Sequence, residues 1–165
     1  MDRHASAVEA AAAITQESRG SHKIVFVSGN FNIVHPGHLR LLNFAAECGD
    51  FLVVGIIEDG ASNAVVPEQL RLQSVQSISV VNHALILRMP PEDFIAMLKP
   101  AIVVKGKEHE ALENPERDAV ESYGGKLLFS SGEVKFSSLD LLQREFLETN
   151  FQAIKKPELN SSFPP

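Results

Sequence analysis

Apolar residues along this chain fall into short solid runs, separated by stretches with helical spacing. Ile24-Val25-Phe26-Val27 and Phe51 to Ile57 (FLVVGII) lack the alternation of a half-exposed strand, so they predict strands buried on both faces. Ala84 to Leu87, Ala101 to Val104 and Lys126 to Phe129 are shorter runs of the same kind. After the first run, Leu39, Leu41, Leu42, Phe44, Ala45 and Ala46 recur at helical spacing, and Gly49-Asp50 supplies the stop. Pro67-Glu68 opens a helix to about Ser77, with Leu70, Val75 and Ile78 as its apolar positions. Pro90-Pro91 begins another, with Phe94, Ile95 and Leu98 facing inward and Pro100 ending it. Asn114-Pro115-Glu116 starts a helix to about Tyr123, closed by Gly124-Gly125. Ser137-Ser138 caps a last one through about Glu148. Strands alternating with helices predict an α/β domain, a doubly wound parallel sheet of about five strands.

The two ends read differently from the middle. Residues 1–22 predict an N-terminal helical appendage: Ser6-Ala7-Val8-Glu9 fits a capping box, and Ala10 to Ala13 are strong helix formers. Its mostly alanine face offers little to pack. Residues 23–150 form the domain proper, and 151–165 a polar, proline-rich tail or linker. Such an ending suggests a truncated chain or a join to an appended domain after residue 165.

Composition narrows the function classes. The 165 residues suit one domain with a real core. A net charge of −6 argues against a general nucleic-acid or anionic-membrane surface. The single cysteine, Cys48, rules out an internal disulfide, fits a reducing compartment and reads as inert packing. No apolar run approaches the roughly 20 residues that cross a bilayer, and no secretory leader is visible. The expected location is the cytoplasm, with no nucleic-acid and no membrane partner.

The chemistry concentrates at one turn. Ser28-Gly29-Asn30-Phe31-Asn32-Ile33-Val34-His35-Pro36-Gly37-His38 joins the first strand to its helix. Pro36 suits a first helical position, where its missing N–H has no intrahelical partner. His35 and His38, three apart, then share one side of the first turn. A helix N-terminus attracts phosphate through its unpaired N–H groups and partial positive charge. Two imidazoles beside it add donors, and Gly37 lets a ligand approach the backbone. The turn reads as a phosphate-handling site. A zinc site on His-x-x-His would need a third protein ligand, and no His or Cys cluster lies nearby, so no metal ligand is assigned. His4, His22, His83 and His109 read as surface or loop residues.

Gly29-x-Phe31-x-x-x-His35-x-Gly37-His38 resembles the GxFDxxHxGH motif of the HxGH nucleotidyltransferase superfamily that includes cytidylyltransferases. The likeness is greatest to glycerol-3-phosphate cytidylyltransferase and to the nucleotidyltransferase half of bifunctional heptose-phosphate enzymes. Cys48 to Gly55 is similar to the family's second strand, Pro67-Glu68-x-x-Arg71 to its PExxR helix, Val103 to Gly106 to its VKG turn, and Ser137-Ser138 to its final helix cap. The resemblance implies a Rossmann-like fold and transfer of CMP or AMP from CTP or ATP to a phosphorylated sugar or polyol, releasing pyrophosphate. It makes His35, His38 and Lys105 the catalytic candidates. Gly29, Asn30, Phe31, Gly37, Lys105, Gly106, Ser137 and Ser138 become nucleotide or phosphate contacts. Arg71 takes a supporting or acceptor-phosphate role. Mg²⁺ accompanies the nucleoside triphosphate, and a homodimer is a family-level expectation.

Three features depart from the family pattern. Asn32 and Asn82 stand where relatives usually carry aspartate, and Asp59 to Val66 lacks Lys or Arg. They support an alternative, a nucleotide-binding or regulatory domain with little catalysis. A class I aminoacyl-tRNA synthetase fragment shares the histidine turn, but no Lys-Met-Ser-Lys-Ser-like segment appears.

Overall fold

All five apolar runs become strands, and every pairing between them is parallel. This computed structural model describes residues 2–19 and 23–130. The elements run α1 (Arg3–Glu17), β1 (Ile24–Gly29), α2 (Pro36–Glu47), β2 (Phe51–Ile57), α3 (Glu68–Gln76) and β3 (His83–Leu87). The second half adds α4 (Pro91–Leu98), β4 (Ile102–Gly106), α5 (Pro115–Glu121) and β5 (Lys126–Ser130). Strand order is β3-β2-β1-β4-β5, so the order reverses between β1 and β4. In such sheets a crevice opens at the carboxyl ends of the strands beside the reversal.

Solid apolar strands bury both faces, and two cores result. Phe26, Val53 and Val103 face α1, α4 and α5, where Ile14, Phe94, Ile95 and Val120 pack. Val25, Val27, Val54 and Val104 face α2 and α3, where Leu42, Ala45 and Val75 pack. Neighbouring strand residues divide between these cores as the period of two requires.

α1 is built into the first core. Asp2 caps it by accepting from the His4 N–H, so the helix starts earlier than the Ser6 capping box suggests. Ala11 and Ile14 bury the stripe, and Ile14 is 0% exposed. Arg3 pairs with Glu58 near one end, and Glu17 meets His83 Nδ1 at 2.7 Å near the other. The helix therefore belongs to the compact unit of residues 1–134; a second unit comprises residues 135–165. The expected last helix, the Ser137-Ser138 cap, the end of the 23–150 domain and the 151–165 tail lie outside the described residues.

α3 corrects one sequence expectation. Leu70 is 52% exposed, and the inward positions belong to Arg71 and Val75. A charged residue takes a core position because its guanidinium finds polar partners there, as described below. Among the described residues no helix is long and apolar enough to cross a membrane.

Candidate active site

β1 ends at Gly29, beside the reversal in strand order, and the chain turns through 30–35 into α2. Pro36 is the first helical residue, and His35, in extended conformation, is the cap. The two imidazoles satisfy the orphan amides of this helix start. His35 Nδ1 accepts from the Gly37 N–H at 3.1 Å, and His38 Nδ1 accepts from the His35 N–H at 3.3 Å. It is a capping box written in histidine. Since each Nδ1 faces a backbone donor, the ring proton of each histidine sits on Nε2. The rings stack, with centroids 3.9 Å apart and planes 26° from parallel.

This packing suppresses charge. Burial and then repulsion from His35 push the His38 pKa down to about 4, against weaker upward pulls from the Ile33 carbonyl and the Glu108 carboxylate. Burial also lowers the His35 pKa. At neutral pH the turn thus presents two uncharged imidazoles at a helix N-terminus, a donor arrangement suited to phosphate oxygens.

Phe31 sits beside them in a left-handed conformation, φ 48°. Its ring lies 5.1 Å from that of His38 and is 3% exposed. The side chain is therefore packed against His38 and not open to a nucleotide, so the expected contact at Phe31 falls to its backbone. Gly29 permits this: a Cβ there would stand 3.1 Å from the Phe31 ring.

The segment 58–66 is clasped to the turn by side chains. Asn32 Oδ1 accepts from the amides of Val65 and Val66 at 2.9 and 2.8 Å, and Ser62 donates to Asn30 Oδ1 at 2.9 Å. An amide oxygen suffices for that bridge, so Asn32 holds the loop without a carboxylate. Arg71, 0% exposed, donates to the carbonyls of Val66, Asn30 and Ile57 and to Asp59 Oδ1. Its hydrogen bond holds the Asp59 carboxyl below the usual carboxylate range. The expected contact between Arg71 and an acceptor phosphate finds no exposed atom on this side chain. Sequence reasoning reached the residue through its motif but missed its burial, since its partners come from three separate segments.

The β4 end is arranged differently. Lys105 Nζ lies 3.0 Å from Glu116 Oε1 on α5. Val104 faces α2 and α3, so Lys105 points to the opposite face of the sheet from the imidazole pair. The structure does not bring Lys105 to His35 and His38, because a buried carboxylate claims its ammonium. Gly106 faces the imidazole side, and the Glu108 carboxylate folds over it, where a Cβ would collide. Glu108 was not singled out from the sequence; its place just after a strand end was the available signal. Asn82 lies at the other end of the sheet, bonded through Oδ1 to the Leu52 N–H at 2.8 Å. Its replacement of aspartate is remote from the turn. Ser137 and Ser138 lie outside the described residues.

Comparison with known proteins adds findings of three kinds. A family model described as cytidylyltransferase-like matches residues 26–132. The bifunctional protein HldE of Gluconobacter oxydans is 36% identical over 130 residues, 73% of this chain and 27% of that protein. HldE of Syntrophotalea carbinolica is 32% identical over 119 residues, 67% of this chain and 24% of that protein. The chain thus spans about a quarter of the length of these curated relatives. A crystal structure of a lipopolysaccharide core biosynthesis protein from Thermoplasma volcanium shares the fold, with TM-score 0.60 at 23% identity, over 68% of this chain and 98% of that one.

Proposed function

This chain belongs to the cytidylyltransferase-like family, and from that premise we propose that it is a nucleotidyltransferase acting on a phosphorylated sugar or polyol. The donor is CTP or ATP. An acceptor phosphate oxygen attacks the α-phosphorus in line; the new P–O bond forms as the bond to the bridging oxygen breaks, and pyrophosphate leaves. No protein nucleophile is required. The protein's task is to align two polyanions and to meet charge where it builds.

The observation that carries this reading is the stacked imidazole pair, with both Nδ1 atoms bound to the backbone amides of the α2 start. In this reading each ring N–H is the donor to a phosphate oxygen, His38 exchanging its Ile33 carbonyl partner for that oxygen when substrate binds. The Nδ1 bonds hold the rings in place before the substrate arrives, which limits the reorganisation the reaction needs. Gly37, in the first turn of α2, is the glycine read here as the close backbone approach, since the Phe31 ring covers Gly29 and the Glu108 carboxylate covers Gly106. Among the described residues no group of three or more His, Cys, Asp or Glu could hold a metal ion. Mg²⁺ enters this reading as the counter-ion of the nucleotide substrate.

The test is pyrophosphate release with CTP and ATP, each with and without a panel of sugar and polyol phosphates. Acceptor-dependent release is expected. Nucleotide binding with no turnover across the panel would sink the reading and leave a nucleotide-binding domain of this fold.

A further inference from the structure

Arg71 stands first by size among the described side chains with almost no exposed surface. It grips the Asn30 carbonyl at 2.7 Å, the Ile57 carbonyl at 2.9 Å and the Val66 carbonyl at 2.8 Å, so one guanidinium ties the β1 turn to the β2 end and the loop before α3. The Asn30 carbonyl belongs to the peptide that leads into Phe31, whose φ of 48° is unfavourable for a residue with a Cβ. Such a conformation persists where its surroundings over-determine it. Here Arg71 fixes the peptide before Phe31, and Gly29 leaves room for the ring. The Phe31 ring then packs at 5.1 Å on His38, which stacks on His35.

We propose that Arg71 is a positioning residue for the imidazole pair: by fixing the Asn30 carbonyl it holds Phe31 left-handed and so sets the ring of His38. The inference rests on the transfer reading for its catalytic consequence, but its structural content stands apart from it. A contact between Arg71 and an acceptor phosphate would need the side chain to abandon all three carbonyls.

The experiment compares wild type with Arg71→Lys in the full chain, by ¹H–¹⁵N NMR of the histidine rings and by steady-state kinetics. A lysine cannot span three carbonyls at once. In wild type the His38 proton should stay on Nε2 through pH 6. In Arg71→Lys the two ring nitrogens should become more alike and titrate nearer the ordinary histidine range. On the kinetic side, kcat should fall about tenfold or more with the acceptor KM changed by less than about twofold. Asp59→Asn, which loosens Arg71 from a half-exposed position, should move the His38 signals the same way by less, and serves if the lysine variant does not fold. A double-mutant cycle with Phe31→Leu should be strongly non-additive. Unchanged His38 signals in the folded variant would overturn the proposal, and a tenfold rise in acceptor KM alone would assign Arg71 to the acceptor phosphate instead. The NMR arm needs no substrate. A protein without turnover but with displaced His38 signals would therefore sink the transfer reading and keep this one.

Discussion

Two strand ends flank the point where the sheet reverses, and they solve the same problem in opposite ways. After β1, the polar side chains close on their own backbone: His35 and His38 take up the amides of the helix they begin, within three residues of themselves. After β4, Lys105 closes on Glu116, a carboxylate carried by α5 on the other face of the sheet. The first arrangement fixes two neutral rings at the start of a helix. The second neutralises a cation internally and turns it away. Cationic character alone therefore does not mark a phosphate site; what matters is which partner already holds the group.

The contrast breaks most sharply at His38. His38→Ala should lower kcat by about 100-fold or more, as for loss of one preorganised donor, with the thermal transition retained. Single-turnover pyrophosphate release checks it, and near-wild-type turnover would remove the imidazole pair from the chemistry. At the other strand end the expected cost is mainly to stability. Glu116→Ala should destabilise by about 2 kcal/mol, because a mostly buried ammonium loses its partner. Lys105→Met/Glu116→Leu should recover most of that in denaturant titration, and Lys105→Met should lower kcat by less than about tenfold. A loss as large as that of His38→Ala would mean that Lys105 leaves Glu116 to meet the nucleotide, and the contrast would fail.

A further effect is a pH dependence. The His38 pKa is depressed from 6.5 to about 4. Between those values the unfolded chain binds the proton that the folded chain refuses. Stability from this group is complete above pH 6.5, is lost as pH falls toward 4, and levels off below. Thermal transitions of wild type should fall across that window more steeply than those of His38→Ala. Equal slopes would place His38 in solvent.

How much was legible depended on the range of the interaction. Pro36 as first helical residue and the phosphate-friendly α2 start follow from local backbone chemistry, and the chain reads them out within a dozen positions. The family likeness reached Arg71 through its spacing from Pro67, yet nothing local tells that its partners are carbonyls at positions 30, 57 and 66. Leu70 and Arg71 illustrate the same limit: periodicity ranks leucine as the inward residue, and only a ring of otherwise unsatisfied carbonyls makes arginine the better occupant. The alanine-rich face of α1 left open whether the helix docks or frays, and in the structure Ala11, Ile14 and two end pairings hold it on the domain.

The amino-acid order by itself determined the strand–helix alternation, the parallel sheet and the turn bearing two imidazoles, because solid apolar runs and helix-start signals act over neighbouring residues. The tertiary structure alone decided which partners the polar groups take: it spent Arg71 and Lys105 on internal partners and fixed His35 and His38 by their Nδ1 atoms. The physical reason is that a buried polar group must be satisfied by whatever the fold brings beside it, and those partners lie far away along the chain.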